Sequence, residues 1–168
     1  MTFHSIVREW CRTYKPMMDN PRAGNRRFYL TDSTAGVVEL AKGISNSFSP
    51  CVVMESRVEG GGKVAMPVRN YTIYFFVRAS KMADGDAAAE AKEEAWVHAK
   101  NFLAWLLKRH EDDVPNGDYG LIDMEDSLMI DTVGPIENGW FAVCIQFERM
   151  EPINTCVDEE MYMDCGGC

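Results

Sequence analysis

Apolar residues recur with a helical period at the start of the chain. Phe3, Ile6, Val7, Trp10, Cys11 and Tyr14 fall at i, i+3, i+4, i+7, i+8 and i+11. The spacing predicts one apolar stripe of an amphipathic helix, stopped by Pro16. Pro16, Pro21 and Gly24 then mark a loop, and Arg26 to Thr31 reads as a short strand. Thr31, Asp32 and Ser33 supply cap residues for a second helix that carries Val37, Leu40, Ala41 and Ile44 on one side.

From Cys51 the period shortens. Cys51 to Glu59 is rich in β-forming residues and ends at Gly60-Gly61-Gly62. Asn70 to Ser80 carries the strongest alternation in the chain. Tyr71, Ile73, Phe75, Val77 and Ala79 share one face, and Thr72, Tyr74, Phe76, Arg78 and Ser80 share the other. Aromatic residues on both faces predict a strand covered on both sides, either central in its sheet or buried partly by another subunit.

Ala87 to His110 is predicted as a long helix, with Asp84 and Asp86 as candidate caps. Its apolar stripe runs through Ala88, Ala91, Ala95, Ala99, Phe102, Leu103 and Leu106. Small residues come first, so that end can lie close against a sheet. Two strands follow, roughly Ser127 to Ile136 and Trp140 to Met150. Glu137-Asn138-Gly139 joins them, and Asn-Gly is a strong hairpin signal. After Pro152 the pattern dissolves.

Two hairpins and a leading helix around one long helix predict an α+β fold. The expected architecture is an antiparallel sheet of four to five strands, with the long helix (residues 86–110) and the N-terminal helix packed on one face. Residues 1–154 form a single domain in this reading, and residues 155–168 an acidic, flexible tail.

Length and composition fit that picture. A chain of 168 residues, 46% hydrophobic and 26% charged, has the make-up of a globular domain. Folding at this size buries roughly two thirds of the unfolded surface without help from disulfides or metal. No apolar run approaches the ~20 residues of a membrane span. The first residues lack a signal-peptide pattern, so the expected setting is the cytoplasm of the producing cell.

Charge adds an asymmetry. Residues 1–30 hold six basic residues against Glu9 and Asp19, a net +4, which leaves −13 for the rest of a chain whose total is −9. An acidic body argues against wrapping nucleic acid, which needs clustered cations. The basic start reads as a solvated helix face and loop, or as a docking surface for an acidic partner such as a neighbouring copy.

Candidate chemistry is sparse. Cys165-Gly-Gly-Cys168 has the spacing of half a zinc site or a redox pair, but it has no helix to follow and no histidine near it. Gly60-Gly61-Gly62-Lys63 lacks the first glycine of a phosphate loop, and Val64 stands where Ser or Thr is needed. His98 and His110 are twelve residues apart on one helix, which is not a metal pair, and with His4 they read as surface or partly buried side chains. Asp112, Asp113, Asn116 and Asp118 do not match a calcium loop. Cys11, Cys51 and Cys144 sit in apolar patterns and read as small buried hydrophobes. No catalytic residue, cofactor or metal is therefore assigned. Trp96 and Trp105 lie off the centre of the long helix's stripe, a position that suits an interface as well as a core.

The run from Cys51-Val-Val-Met-Glu through Asn70-Tyr-Thr-Ile-Tyr-Phe-Phe-Val-Arg, the Ala-rich helix, and Trp140-Phe-Ala-Val-Cys-Ile-Gln-Phe-Glu together resemble the tail-terminator or tail-completion proteins of bacteriophages. The phrase Phe147-Glu-Arg-Met-Glu-Pro-Ile-Asn154 is similar to structural proteins of phages or prophages from Bacteroides-type hosts. The resemblance spans residues 51–154 and rests on pattern and order. It implies a non-enzymatic virion component: a homo-oligomeric ring at the head–tail junction or tail end. Neighbouring neck and tail proteins would be its partners, DNA would pass through without specific binding, and no membrane would be involved. An acidic lumen suits that role, because like charge keeps phosphates from sticking.

Candidate contact residues between copies are Arg26, Arg27, Gly60, Gly61, Gly62, Lys63, Trp96 and Trp105. The Gly60 to Pro67 segment is expected to form an arm towards the next subunit. A small cytoplasmic adaptor acting through its sheet face is the alternative, and an enzyme with an unrecognised site is the third reading.

Overall fold

A computed structural model describes residues 3–18, 27–45, 48–55, 60–63, 66–81, 84–113, 122–123 and 127–150. The elements in chain order are α1 (Phe3–Thr13), β1 (Phe28–Thr31), α2 (Thr34–Gly43), β2 (Cys51–Glu55), β3 (Gly60–Lys63), β4 (Met66–Arg78), α3 (Gly85–Asp113), β5 (Ile122–Asp123), β6 (Met129–Ile136) and β7 (Trp140–Met150). The fold is α+β, with helices packed on a sheet, as the sequence predicts.

The spine of the sheet is β4 against β7, antiparallel in unbroken register from Val68 opposite Met150 to Arg78 opposite Trp140. On its far side β4 pairs with β2 along Ile73–Phe76 and with β3 along Met66–Arg69. On its own far side β7 pairs with β6 and then, near its end, with β5. β1 closes the other edge, parallel to β2. This parallel pair departs from the expected antiparallel sheet, and the short strands β3 and β5 take the count to seven where four to five were expected. The parallel pairing arises because α2 carries the chain across the sheet between β1 and β2, as a parallel connection requires.

Side chains alternate across the sheet, so each strand feeds two layers. The first face receives Val52, Met54, Tyr71, Ile73, Phe75, Val77, Phe141, Val143, Ile145 and Phe147, covered by α1 and α3. Both helices therefore lie on one face, as expected. The second face receives Cys51, Val53, Tyr74, Phe76, Trp140, Ala142 and Cys144, covered by Val37, Ala41 and Ile44 around α2. The aromatic residues on both sides of β4 are thus explained within a single chain.

The helices form where local chemistry permits. Asp84 begins α3: its backbone carbonyl accepts from the Ala88 amide at 3.1 Å and its carboxylate from the Asp86 amide at 3.0 Å. Ala91, Ala95 and Ala99 are buried along the stripe and allow a close approach to the strands. Ser33 caps α2 by accepting from the Gly36 amide at 3.2 Å. At Gly36 the helix meets the Thr31 hydroxyl of β1 so closely that a β-carbon would collide with it. The β6–β7 turn runs through Asn138 (φ 68°) and Gly139 (φ 73°), the left-handed conformations that Asn-Gly tolerates.

Gly60–Lys63 is not a loop before a helix, as phosphate binding would need; it is a strand paired with Met66–Arg69. The expected arm is therefore a β-hairpin that continues β4 past the end of its pairing with β2. Arg26, Asn116, Asp118 and the whole of residues 155–168, with Cys165 and Cys168, lie outside the described residues.

Candidate functional site

Three places bring polar or reactive groups together, and each follows from an element just described.

The first lies between α1 and α3. Tyr14 Oη donates to His98 Nδ1 at 3.1 Å, and His98 Nε2 faces Glu94 Oε1 at 3.4 Å. This network assigns the Nε2–H tautomer, with Glu94 as acceptor. His98 is only 4% exposed, although the sequence reads it as a surface or partly buried side chain. Burial lowers its pKa from 6.5, opposed by Glu94, and burial raises that of Tyr14, with Glu94 adding to it. A neutral imidazole and a protonated phenol are the result, an uncharged clamp joining the two helices. Arg109 reinforces it by pairing with Glu9 across the helices at 3.0 Å while lying over the Trp105 ring.

The second is the outward surface of α1. His4, Arg8 and Arg12 are spaced by four residues, and Lys15 follows just beyond the helix. All four are exposed. Arg8 rests over the Phe28 ring, and Glu9, the acid in this stretch, is held by Arg109. The basic start found in the sequence is thus partly a coherent basic stripe on the first face.

The third is a groove of about 370 Å³ on the second face, between α2 and the edge strand β6. Val37 and Val38 form one wall, Met129, Val133 and Ile136 the other, and Tyr74 and Cys144 the floor. Tyr74 donates to Glu55 Oε1 at 2.8 Å, and Thr34 donates to the same oxygen at 3.0 Å. Asp131 stands opposite Cys144 in the β6–β7 register. Its carboxylate accepts from the Thr132 amide at 2.7 Å, which occupies one backbone donor of β6. Among the described residues no cation pairs with Glu55 or Asp131.

Burial pushes the Cys144 thiol up to about 11, and the Glu55 and Asp131 carboxylates push in the same direction. Burial raises Cys51 to about 12. Both thiols stay protonated at neutral pH and are poor nucleophiles. The Tyr74 phenol is raised by burial and by its bond to Glu55. Chemically, the groove offers apolar contact and negative potential.

The candidate contact residues fall apart in space. Arg27 turns inward: its Nη1 donates to the Pro50 carbonyl at 2.9 Å and its own carbonyl accepts from Val52 at 2.6 Å, so it anchors the start of β1 against β2. Gly60, Gly61, Gly62 and Lys63 lie in the β3–β4 hairpin. Trp96 and Trp105 are half-buried against the first-face core, with Lys100 and Arg109 over their outer rings. The groove itself was not legible in the sequence. Its walls come from α2 and β6, which lie far apart in the chain, and no local pattern of residues records their approach.

Among the described residues, no three His, Cys, Asp or Glu side chains group as a metal site. Likewise none of the described helices is long and apolar enough to cross a membrane. Compared with models of protein families and with curated proteins, the chain matches none.

Proposed function

We propose that the chain is a structural component of a phage or phage-derived particle, forming an oligomeric ring at the head–tail junction or tail end with neighbouring neck or tail proteins. One observation carries the reading: two unlike surfaces lie on opposite faces of one sheet. The α1 surface is basic, and the second-face groove is apolar with two carboxylates that meet no cation among the described residues. Unlike patches on opposite sides make a heterologous contact, which closes into a ring or continues as a filament. The pattern resemblance over residues 51–154 supports the same role.

Light scattering over a concentration series, alone and with neighbouring neck proteins, tests it. A closed assembly of defined mass is the expected outcome. A strict monomer indifferent to every neighbour overturns the reading.

The groove also favours a second reading, an adaptor that takes an unrelated protein on its second sheet face. A one-to-one complex with a foreign partner, and no self-association, is the result that would select it.

A further inference from the structure

The proposed ring leaves open which surfaces meet, and the groove supplies an answer that rests on that reading. Strand β6 is eight residues long, and its burial is poor along its whole length. Met129, on the groove side of the strand, is 66% exposed, and Val38, which also lines the groove, is 38% exposed. Apolar side chains bordering two carboxylates suit a guest that is aliphatic along its stem and cationic at its tip. Arginine and lysine have that form. Arg12 and Lys15 present such side chains on the opposite face of the same molecule, exposed and outside any ion pair among the described residues.

We propose that α1 of one copy docks on the second-face groove of the next, with the stems of Arg12 and Lys15 against Met129 and Val38 and their charges beside Asp131 and Glu55. Asp131 stands opposite Cys144, and Glu55 accepts from the hydroxyl of Tyr74, the β4 partner of Cys144, so a cation entering the groove meets negative potential from both. Charge complementarity of this kind sets partner choice and orientation as well as encounter rate. It also makes the contact salt-sensitive, because exposed charges are screened over ~10 Å at 0.1 M salt. Met129 and Val38 supply the part of the contact that salt does not weaken.

Charge reversal on each side tests the contact, with light scattering at low and high salt as the readout. The Arg12→Glu, Lys15→Glu double variant and the Asp131→Lys variant should each weaken self-association by about tenfold or more. Asp131→Asn, which preserves an oxygen for the Thr132 amide, should weaken it less. Combining all three reversals in one chain should restore association towards the original strength. Circular dichroism of each variant checks that the fold is kept.

Assembly that persists undiminished in the α1 double variant overturns this contact and leaves the ring reading standing. So does loss on each side without recovery in the combined variant. A natural chain that is monomeric at every concentration and salt, alone and with its neighbours, overturns both.

Discussion

The two faces of the sheet are built from the same strands, yet they are finished differently. On the first face, two helices cover a layer of interlocking rings: Trp10 meets Phe75 and Phe102 edge-on at 5.8 and 5.2 Å, and Phe3 lies over Tyr71 at 4.3 Å. On the second, the ten-residue α2 covers Phe76 and Trp140, and Val133 and Ile136 of β6 pack against that cluster, while Met129 stays exposed beside a groove. A sheet buried on both faces needs a long helix, or two, on each. Among the described residues the second face carries only one short helix, which is either a concession in stability or a surface kept for a partner. The carboxylates at this groove favour the partner.

The largest test of that contrast is Phe102→Ala. Phe102 is fully buried among Trp10, Phe75 and Trp105, so its removal leaves a sealed void and should cost about 3–5 kcal/mol in chemical denaturation. Val37→Ala on the second face should cost less, about 1.5 kcal/mol for two methylenes, because it widens a groove already open. Equal losses at the two positions would mean that the faces are equally closed.

Acidification sharpens the comparison from the first face. The folded pKa of His98 lies below 6.5 because burial disfavours its charge. Stability is therefore whole above pH 6.5 and declines as pH falls from there towards the folded pKa, since the unfolded imidazole takes a proton that the buried one refuses. His98→Gln should flatten that part of the profile, and the His98 imidazole resonances of the folded protein should titrate below 6.5. A midpoint at or above 6.5 would mean that Glu94 outweighs burial.

The smallest effect on folding is expected at Met129. Met129→Ser changes a side chain that is 66% exposed and should shift stability by no more than about 0.5 kcal/mol. If the groove is a docking surface, the same change weakens self-association in light scattering, which separates a residue used for assembly from one used for folding.

What the sequence revealed follows the strength of local periodicity. The stripes of α1 and α3 and the alternation of β4 and β7 were legible because each is long and feeds a buried layer. Ser33 and the Asn138-Gly139 turn were legible from capping and turn chemistry. The parallel β1–β2 pair was not, since four residues of strand carry too little pattern to declare a partner or its direction. β3 was hidden for another reason: three consecutive glycines have no side chains with which to alternate. His98 was read as surface or partly buried because its place in the core depends on Tyr14, which follows another helix, α1. The groove needed two elements, α2 and β6, whose proximity is purely tertiary.

The β4–β7 spine bears on the order in which the molecule can form. Strand β4 has aromatic rings on both sides, and its neighbour along its full length is the last strand described, with all of α3 between them. During synthesis, then, this aromatic-rich strand emerges long before its main partner. Until Trp140–Met150 leave the ribosome, the β7 edge of β4 has no strand to pair with, and only the elements already made, α1, α2, β2 and β3, can shield its side chains. Closure of so distant a pair places the domain among the slower folders of its size. A nascent chain halted in α3 would be a ready client for a holding chaperone.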